Sequence, residues 1–218
     1  MSQAFPTSRR SSRYIGWMQA TPVGRPPVSG ITEALLKAAE GIMLTEGFSS
    51  LTVDALVTEV GTTRPTFYRR FSNVADVALT VVRNTFGTGN SVDTGSLRQD
   101  LLALQEEEVS MFSSPLLRNN LSGLLEAARS DEVLLAAYGS EFIGPRRANV
   151  ARVISAAIDR GEIDEVDVDV DFVCDLLLGP ILARALVPSG APLDARLAEQ
   201  TTEAVLLSVG AVSAGRRG

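Results

Sequence analysis

Between Thr62 and Arg70 the chain sets three threonines, a tyrosine and three arginines within nine residues: Thr62, Thr63, Arg64, Thr66, Tyr68, Arg69 and Arg70. Side chains of these types suit contact with a polyanion. The Arg64 guanidinium can grip guanine O6 and N7 as a fork, while threonine hydroxyls suit phosphate or base contacts and their methyls suit thymine. The competing reading makes Phe67 and Phe71 core and the arginines solvated surface. A second basic feature, Gly24-Arg25-Pro26, resembles the centre of arms that lay a basic residue in the minor groove. A solubilising tail is the alternative for that segment.

Other chemistry is thinly provided for. The 218 residues contain no His and a single Cys, Cys174. That excludes Ser-His-Asp and Cys-His nucleophilic sites, His-based metal sites, a Cys₄ zinc site and an internal disulfide. Asp167, Asp169 and Asp171 alternate in the manner of a calcium loop. The glycine such a loop needs is Phe172, however, and its closing glutamate is Leu178, so an EF-hand is rejected. Gly87-x-Gly89 follows no strand and reads as a linker. No metal and no cofactor are expected.

The elements that must position the basic cluster follow from apolar spacing. Ile31–Gly47 carries Leu35, Ala39, Ile42 and Met43 on one helical face and ends at a glycine. Thr52 caps a short helix burying Val53, Leu56, Val57 and Val60, which Gly61 stops. Thr62 or Thr63 starts a third helix with Pro65 in its first turn, where a missing N–H costs little. A fourth helix starts at Ser72-Asn73 and runs to Phe86. Two short helices around a glycine turn, after a longer one, describe a helix-turn-helix. Further helices are expected at Leu97–Met111 (with Glu106, Glu107 and Glu108 facing solvent), Leu116–Ala128, Glu132–Arg160, Phe172–Val187 and Leu193–Val212. Gly144-Pro145 and Gly179-Pro180 should kink or divide two of them. Asp169 or Asp171 should favour the positive end of the helix after the acidic stretch. The fold class is therefore all-α.

Charge supports a division of labour. The net charge is −6, yet residues 1–90 carry +3 and residues 91–218 carry −9. Only the front half is suited to face a polyanion. The first thirty residues lack an apolar run of signal-peptide length, and Phe172–Val187 is interrupted by Asp175 and Arg184, so neither export nor a membrane span is expected. A cytoplasmic protein is the default.

The run from Leu35, L-L-K-A-A-E-x-x-x-x-E-G-F-x-x-L-T-V-D-A-L-V, followed by G-T-T-R-P-T-F-Y-R-R-F, resembles the DNA-binding domain of TetR-family transcriptional regulators. F-x-x-P-R-R from Phe142, R-G-E-I from Arg160 and G-P-I-L from Gly179 resemble one C-terminal class of that family. The resemblance implies a flexible basic arm (1–30), a helix-turn-helix domain (31–88) and a ligand-binding and dimerisation domain (92–213). It adds Thr52 and Tyr68 as phosphate contacts and implies a homodimer on a palindromic double-stranded operator. A small-molecule effector would release that operator, which makes the protein a repressor rather than an enzyme. Two departures stand out: Val74 occupies a position where the family usually has Lys near phosphate, and Thr62 one where an apolar residue is common.

Cavity walls are expected from Met111, Phe112, Leu116, Leu121, Leu125, Leu135, Tyr138, Phe142 and Val150, with Arg118, Asn119, Asn120 or Glu141 orienting a mainly apolar molecule. The subunit interface is expected at Phe172, Leu176, Leu177, Ile181, Leu197 and Val205, because their helices are too apolar to stay exposed. The alternative is a helical small-molecule-binding or adaptor protein with a weakened reading head, for which Val74 speaks.

Overall fold

The computed structural model describes residues 30–164, 168–187 and 190–211, all of them helix, turn or loop. Ile31, Leu35, Ala39 and Met43, four residues apart, form the buried stripe of α1 (Gly30–Thr45). Gly47 ends it at φ 84°, with the N–H groups of Glu46 and Gly47 both donating to Ile42 O. A single 3₁₀ turn, Phe48–Ser50, leads to α2 (Val53–Val60). Thr52 caps α2 by accepting the Ala55 N–H at 3.1 Å, and Gly61 closes it in the left-handed region at φ 68°. After this turn comes α3 (Arg64–Tyr68), with Pro65 in its first turn. Next, α4 (Val74–Phe86) is doubly capped. Asn73 accepts the Asp76 N–H at 2.9 Å, and Asp76 accepts the Ser72 N–H at 2.9 Å in return.

The remainder comprises α5 (Leu97–Ser113), α6 (Pro115–Ser130), α7 (Glu132–Ala137), a π turn at Tyr138–Ile143, α8 (Gly144–Asp159), α9 (Val170–Leu186) and α10 (Ala195–Ser208). The single helix expected over Glu132–Arg160 is thus interrupted by the π turn. Pro145 has no N–H and would crowd the carbonyl four residues back, and the wider turn, with Gly144 N–H donating to Gly139 O, makes room for it. By contrast α9 continues through Pro180. Gly179 and Pro180 are exposed, so water can satisfy the carbonyl that loses its donor. Asp169 caps α9 by accepting the Phe172 N–H at 3.1 Å, whereas Asp171 accepts from Arg147. Asp167 lies outside the described residues.

Two apolar clusters organise these helices. One joins α1–α4 to α6, with Phe112, Phe142, Ile181 and Leu197 reaching into it. The other packs Leu97, Leu101 and Leu104 of α5 against α8, α9 and α10. α1, the 3₁₀ turn and α4 pack directly onto α6, while α2 packs on α1 and α3 on α2. Asn120 of α6 donates to Met43 O at 2.8 Å and Asn119 donates to Leu44 O at 3.3 Å, which satisfies carbonyls that the last turn of α1 leaves open. Asn119 and Asn120, expected to orient a ligand, instead hold the end of α1.

Candidate nucleic-acid interface and interior pocket

α2, the Gly61 turn and α3 present one exposed edge. Arg64, at the first position of α3, reaches back to Asp54 near the start of α2. Its Nε donates to Asp54 Oδ1 at 2.6 Å and its Nη2 to Oδ2. Both side chains are more than half exposed. The guanidinium holds the Asp54 carboxyl below its ordinary range by hydrogen bonding, with a smaller charge contribution. This side-on fork occupies Nε and one edge of Nη2, and it leaves the Nη1/Nη2 edge facing away from the carboxylate. That free edge is the one that can meet guanine O6 and N7.

The other residues of the cluster divide sharply. Thr63 and Arg69 are exposed, and Tyr68 is 57% exposed, its ring edge-on to the buried Phe67 at 5.3 Å. Thr52 is exposed but its hydroxyl serves the α2 cap. Thr62 is half-buried, with its N–H bonded to Val57 O. Thr66 and Arg70 depart from expectation. Thr66 is buried, its hydroxyl shared between Thr63 and Arg69 Nη2 at 3.0 Å each. Arg70 donates to Thr32 Oγ1 at 3.1 Å and Thr66 O at 2.9 Å, fastening α3 to α1. Both brace the five-residue α3 from its inner side. Val74 is half-buried at the start of α4. Arg25 lies outside the described residues.

The interior pocket lies between α5, the π turn, α8 and α9, with a cavity volume of about 60 Å³. Met111, Phe112, Phe142 and Val150 line it. Leu116 and Leu121 do not; they are core, and Leu125 packs against that core. Tyr138 stacks on Phe142 with centroids 5.7 Å apart, and Leu135 is half exposed. Glu141 is paired with Arg83 of α4, and Arg118 lines a separate outer groove.

The polar lining residues were missed by sequence reasoning. Arg146 is the central one, its side chain 9% exposed. It donates to Glu108 at 3.0 Å and, through Nη2, to Phe86 O and Gly87 O at 3.1 Å each. Its guanidinium carbon lies 4.7 Å from the Phe142 ring centre. Glu108, expected in solvent, is only 17% exposed, and burial pushes its carboxyl pKa up despite Arg146. The signal was present: Glu108 is four residues from both Leu104 and Phe112, on their face of the helix. Burial, with the Glu108 charge second, pushes the Tyr138 phenol up to about 12. Cys174 also lines the pocket, and burial raises its thiol pKa, which makes it a poor nucleophile.

Four of the residues expected at a subunit interface, Leu177, Ile181, Leu197 and Val205, are at most 2% exposed within the subunit and belong to its core. The exposed apolar side chains of the same two helices are Phe172 and Leu186 on α9 and Leu207 on α10, with Leu176 half-buried.

A capped short helix, a left-handed glycine turn, and a second helix presenting Arg, Thr and Tyr outward, all mounted on a larger helical body, define a helix-turn-helix regulator. Residues 35–80 match the family described as bacterial regulatory proteins of the tetR family, and residues 91–205 match the tetracyclin repressor-like C-terminal domain. The chain belongs to the TetR family of transcriptional regulators and is not an enzyme. It is 31% identical over 165 residues to an HTH-type transcriptional regulator, YdeS, of Bacillus subtilis, covering 75% of this chain and 82% of that one. Among solved structures it resembles the TetR family transcription regulator SCO0332 (TM-score 0.63, 29% identity, 83% of this chain and 98% of that one). It shares its fold with the regulator FadR of Bacillus subtilis in complex with stearoyl-CoA (TM-score 0.60, 16% identity, 83% and 99%). No helix among the described residues is long and apolar enough to cross a membrane.

Proposed function

We propose that the protein is a cytoplasmic, ligand-responsive repressor that binds a palindromic operator as a homodimer. Residues 31–88 serve as the reading unit, and residues 92–213 bind the effector and the second subunit. The observation that carries this reading is the outward edge of α3, where Arg64 is held side-on by Asp54 with its far edge free for a base. Thr63, Tyr68 and Arg69 stand beside it, with Thr52 at the start of α2. Support for an effector comes from the mainly apolar pocket and from the fold shared with a regulator that holds stearoyl-CoA. The repressor sense follows the tetracyclin repressor-like C-terminal domain. Phe172, Leu186 and Leu207 would meet their counterparts in the partner subunit, because they are the large apolar side chains that α9 and α10 leave exposed.

The test is a gel-shift with the DNA flanking the protein's own gene. Specific retardation is expected, and Arg64→Ala should weaken it and relax the preference at one base pair, by roughly 5- to 150-fold in discrimination. An unchanged footprint in that variant refutes the assignment. The second reading, an effector-binding adaptor with a weakened head, rests on Val74 at the start of α4, where the family usually has Lys. It predicts no retardation of any flanking DNA.

A further inference from the structure

We propose that the pocket at Arg146 takes an uncharged, mainly apolar molecule carrying a carbonyl oxygen, such as a ketone, ester or lactone, and that this oxygen accepts the Arg146 Nε–H. The inference rests on the regulator reading above and supplies the chemistry of its effector. Arg146 is nine-tenths buried and lines the pocket, and its Nη groups are engaged with Glu108 and with the two carbonyls that end α4. Its Nε, equally buried, has no partner. An unpaired N–H on a charged group is a costly thing to keep in an apolar wall, so an acceptor there gains more than an ordinary hydrogen bond.

The rest of the wall specifies what carries that acceptor. It is mainly apolar: Leu104, Met111, Phe112, Phe142, Val150 and Leu177 offer hydrocarbon, thioether and ring surface, with the Gln105 and Asn149 amides as neutral polar groups beside them. Charge then favours a neutral molecule over an anion. Glu107, Glu108, Arg146 and Arg147 line the pocket, and Arg147 is already matched to Asp171 at 2.7 Å and Asp175 at 3.0 Å. Carboxylates and guanidiniums along the wall are equal in number, and both guanidiniums are already answered by carboxylates, so no unmatched positive charge awaits an anion while the Arg146 Nε–H awaits a neutral acceptor. The π turn that supplies Phe142 and Ile143 is the irregular segment of that wall. Arg146 holds Phe86 O and Gly87 O through Nη2 and offers Nε to the ligand, which places the hold on α4 and the binding of the effector on one side chain.

The experiment uses the full chain and two matched probe series, 2-alkanones and alkanoates of four to ten carbons. Thermal unfolding and the arginine Nε–H signals in a ¹⁵N spectrum are followed, the Arg146 signal being assigned by its loss in Arg146→Lys. At least one 2-alkanone at saturation is expected to shift that signal and raise Tm by ~5 °C or more. The lysine variant, which keeps the charge, is expected to bind it roughly tenfold more weakly. Preference for alkanoates, equal binding by the lysine variant, or no response to either series overturns the proposal. A parallel gel-shift separates the two failures. Specific retardation with no probe response condemns the pocket chemistry alone, and absent retardation condemns the regulator reading alone.

Discussion

Gly123, in the middle of α6, is the contact at which the reading unit is most sensitive to a single added carbon. A Cβ placed there would lie 2.4 Å from Cδ1, 2.6 Å from Cγ and 2.9 Å from Cβ of Phe48. The last of these cannot be relieved by turning the ring, because Phe48 Cβ moves only with the backbone of the 3₁₀ turn. That turn is itself confined, since Gly47 before it packs against Asn119 O. Gly123→Ala gains about 0.8–1 kcal/mol of helix propensity and costs about 1–3 kcal/mol of overpacking. The net is a loss of ~1 kcal/mol, which for a chain of this length lowers Tm by ~2–4 °C. Phe48→Ala removes the two ring contacts and leaves only the Cβ contact at 2.9 Å, so the double variant should be more stable than the sum of the single changes predicts, by ~1 kcal/mol. Urea or thermal unfolding of the four proteins measures this coupling. Additive behaviour, or an alanine variant more stable than the wild type by its full propensity gain, would refute the packing argument.

Three further outcomes follow from other parts of the molecule. Asp54→Asn removes the charge that balances Arg64, so non-operator DNA should bind more tightly and the ratio of operator to non-operator affinity should fall; an unchanged ratio in a filter-binding titration excludes Asp54 from positioning Arg64. Tyr138 holds its proton to about 12, so alkaline absorbance titration should show a late tyrosinate component that Tyr138→Phe abolishes. The sign is that of a raised pKa: this contribution to stability is complete below the ordinary phenol value near 10 and is lost as pH rises through about 12. Leu207 is 81% exposed on α10, and Leu207→Glu should shift the protein from dimer to monomer in sedimentation while leaving its helical content unchanged; an undisturbed dimer removes Leu207 from the interface.

The elements were legible where one residue fixes local geometry. Thr52, Gly61, Asn73 and Asp169 each announce a helix end through capping or a left-handed turn, and each acts at the position its chemistry requires. What sequence could not supply was the inward or outward sense of polar residues on amphipathic helices. Arg70 and Thr66 belong to a basic cluster by composition, yet both brace the five-residue α3 from its inner side. Leu177, Ile181, Leu197 and Val205 are as apolar as any interface residue, but apolar type alone does not distinguish a subunit's own core from its partner's. The pocket was least legible for the same reason. Its character comes from Glu108 and Arg146, thirty-eight residues apart, and only tertiary packing brings that pair to one wall.

The fork between Asp54 and Arg64 also bears on how the proposed repressor finds its target. A genome offers roughly 10⁶–10⁹ wrong sites for each right one. A lone arginine at the tip of the reading helix would linger at all of them, since phosphate attracts it everywhere. With its charge already answered by a carboxylate, Arg64 adds little to those chance encounters. It becomes adhesive only where a guanine meets its remaining edge. Time on wrong sequences is shortened, and more of a small protein pool stays free to search for the operator.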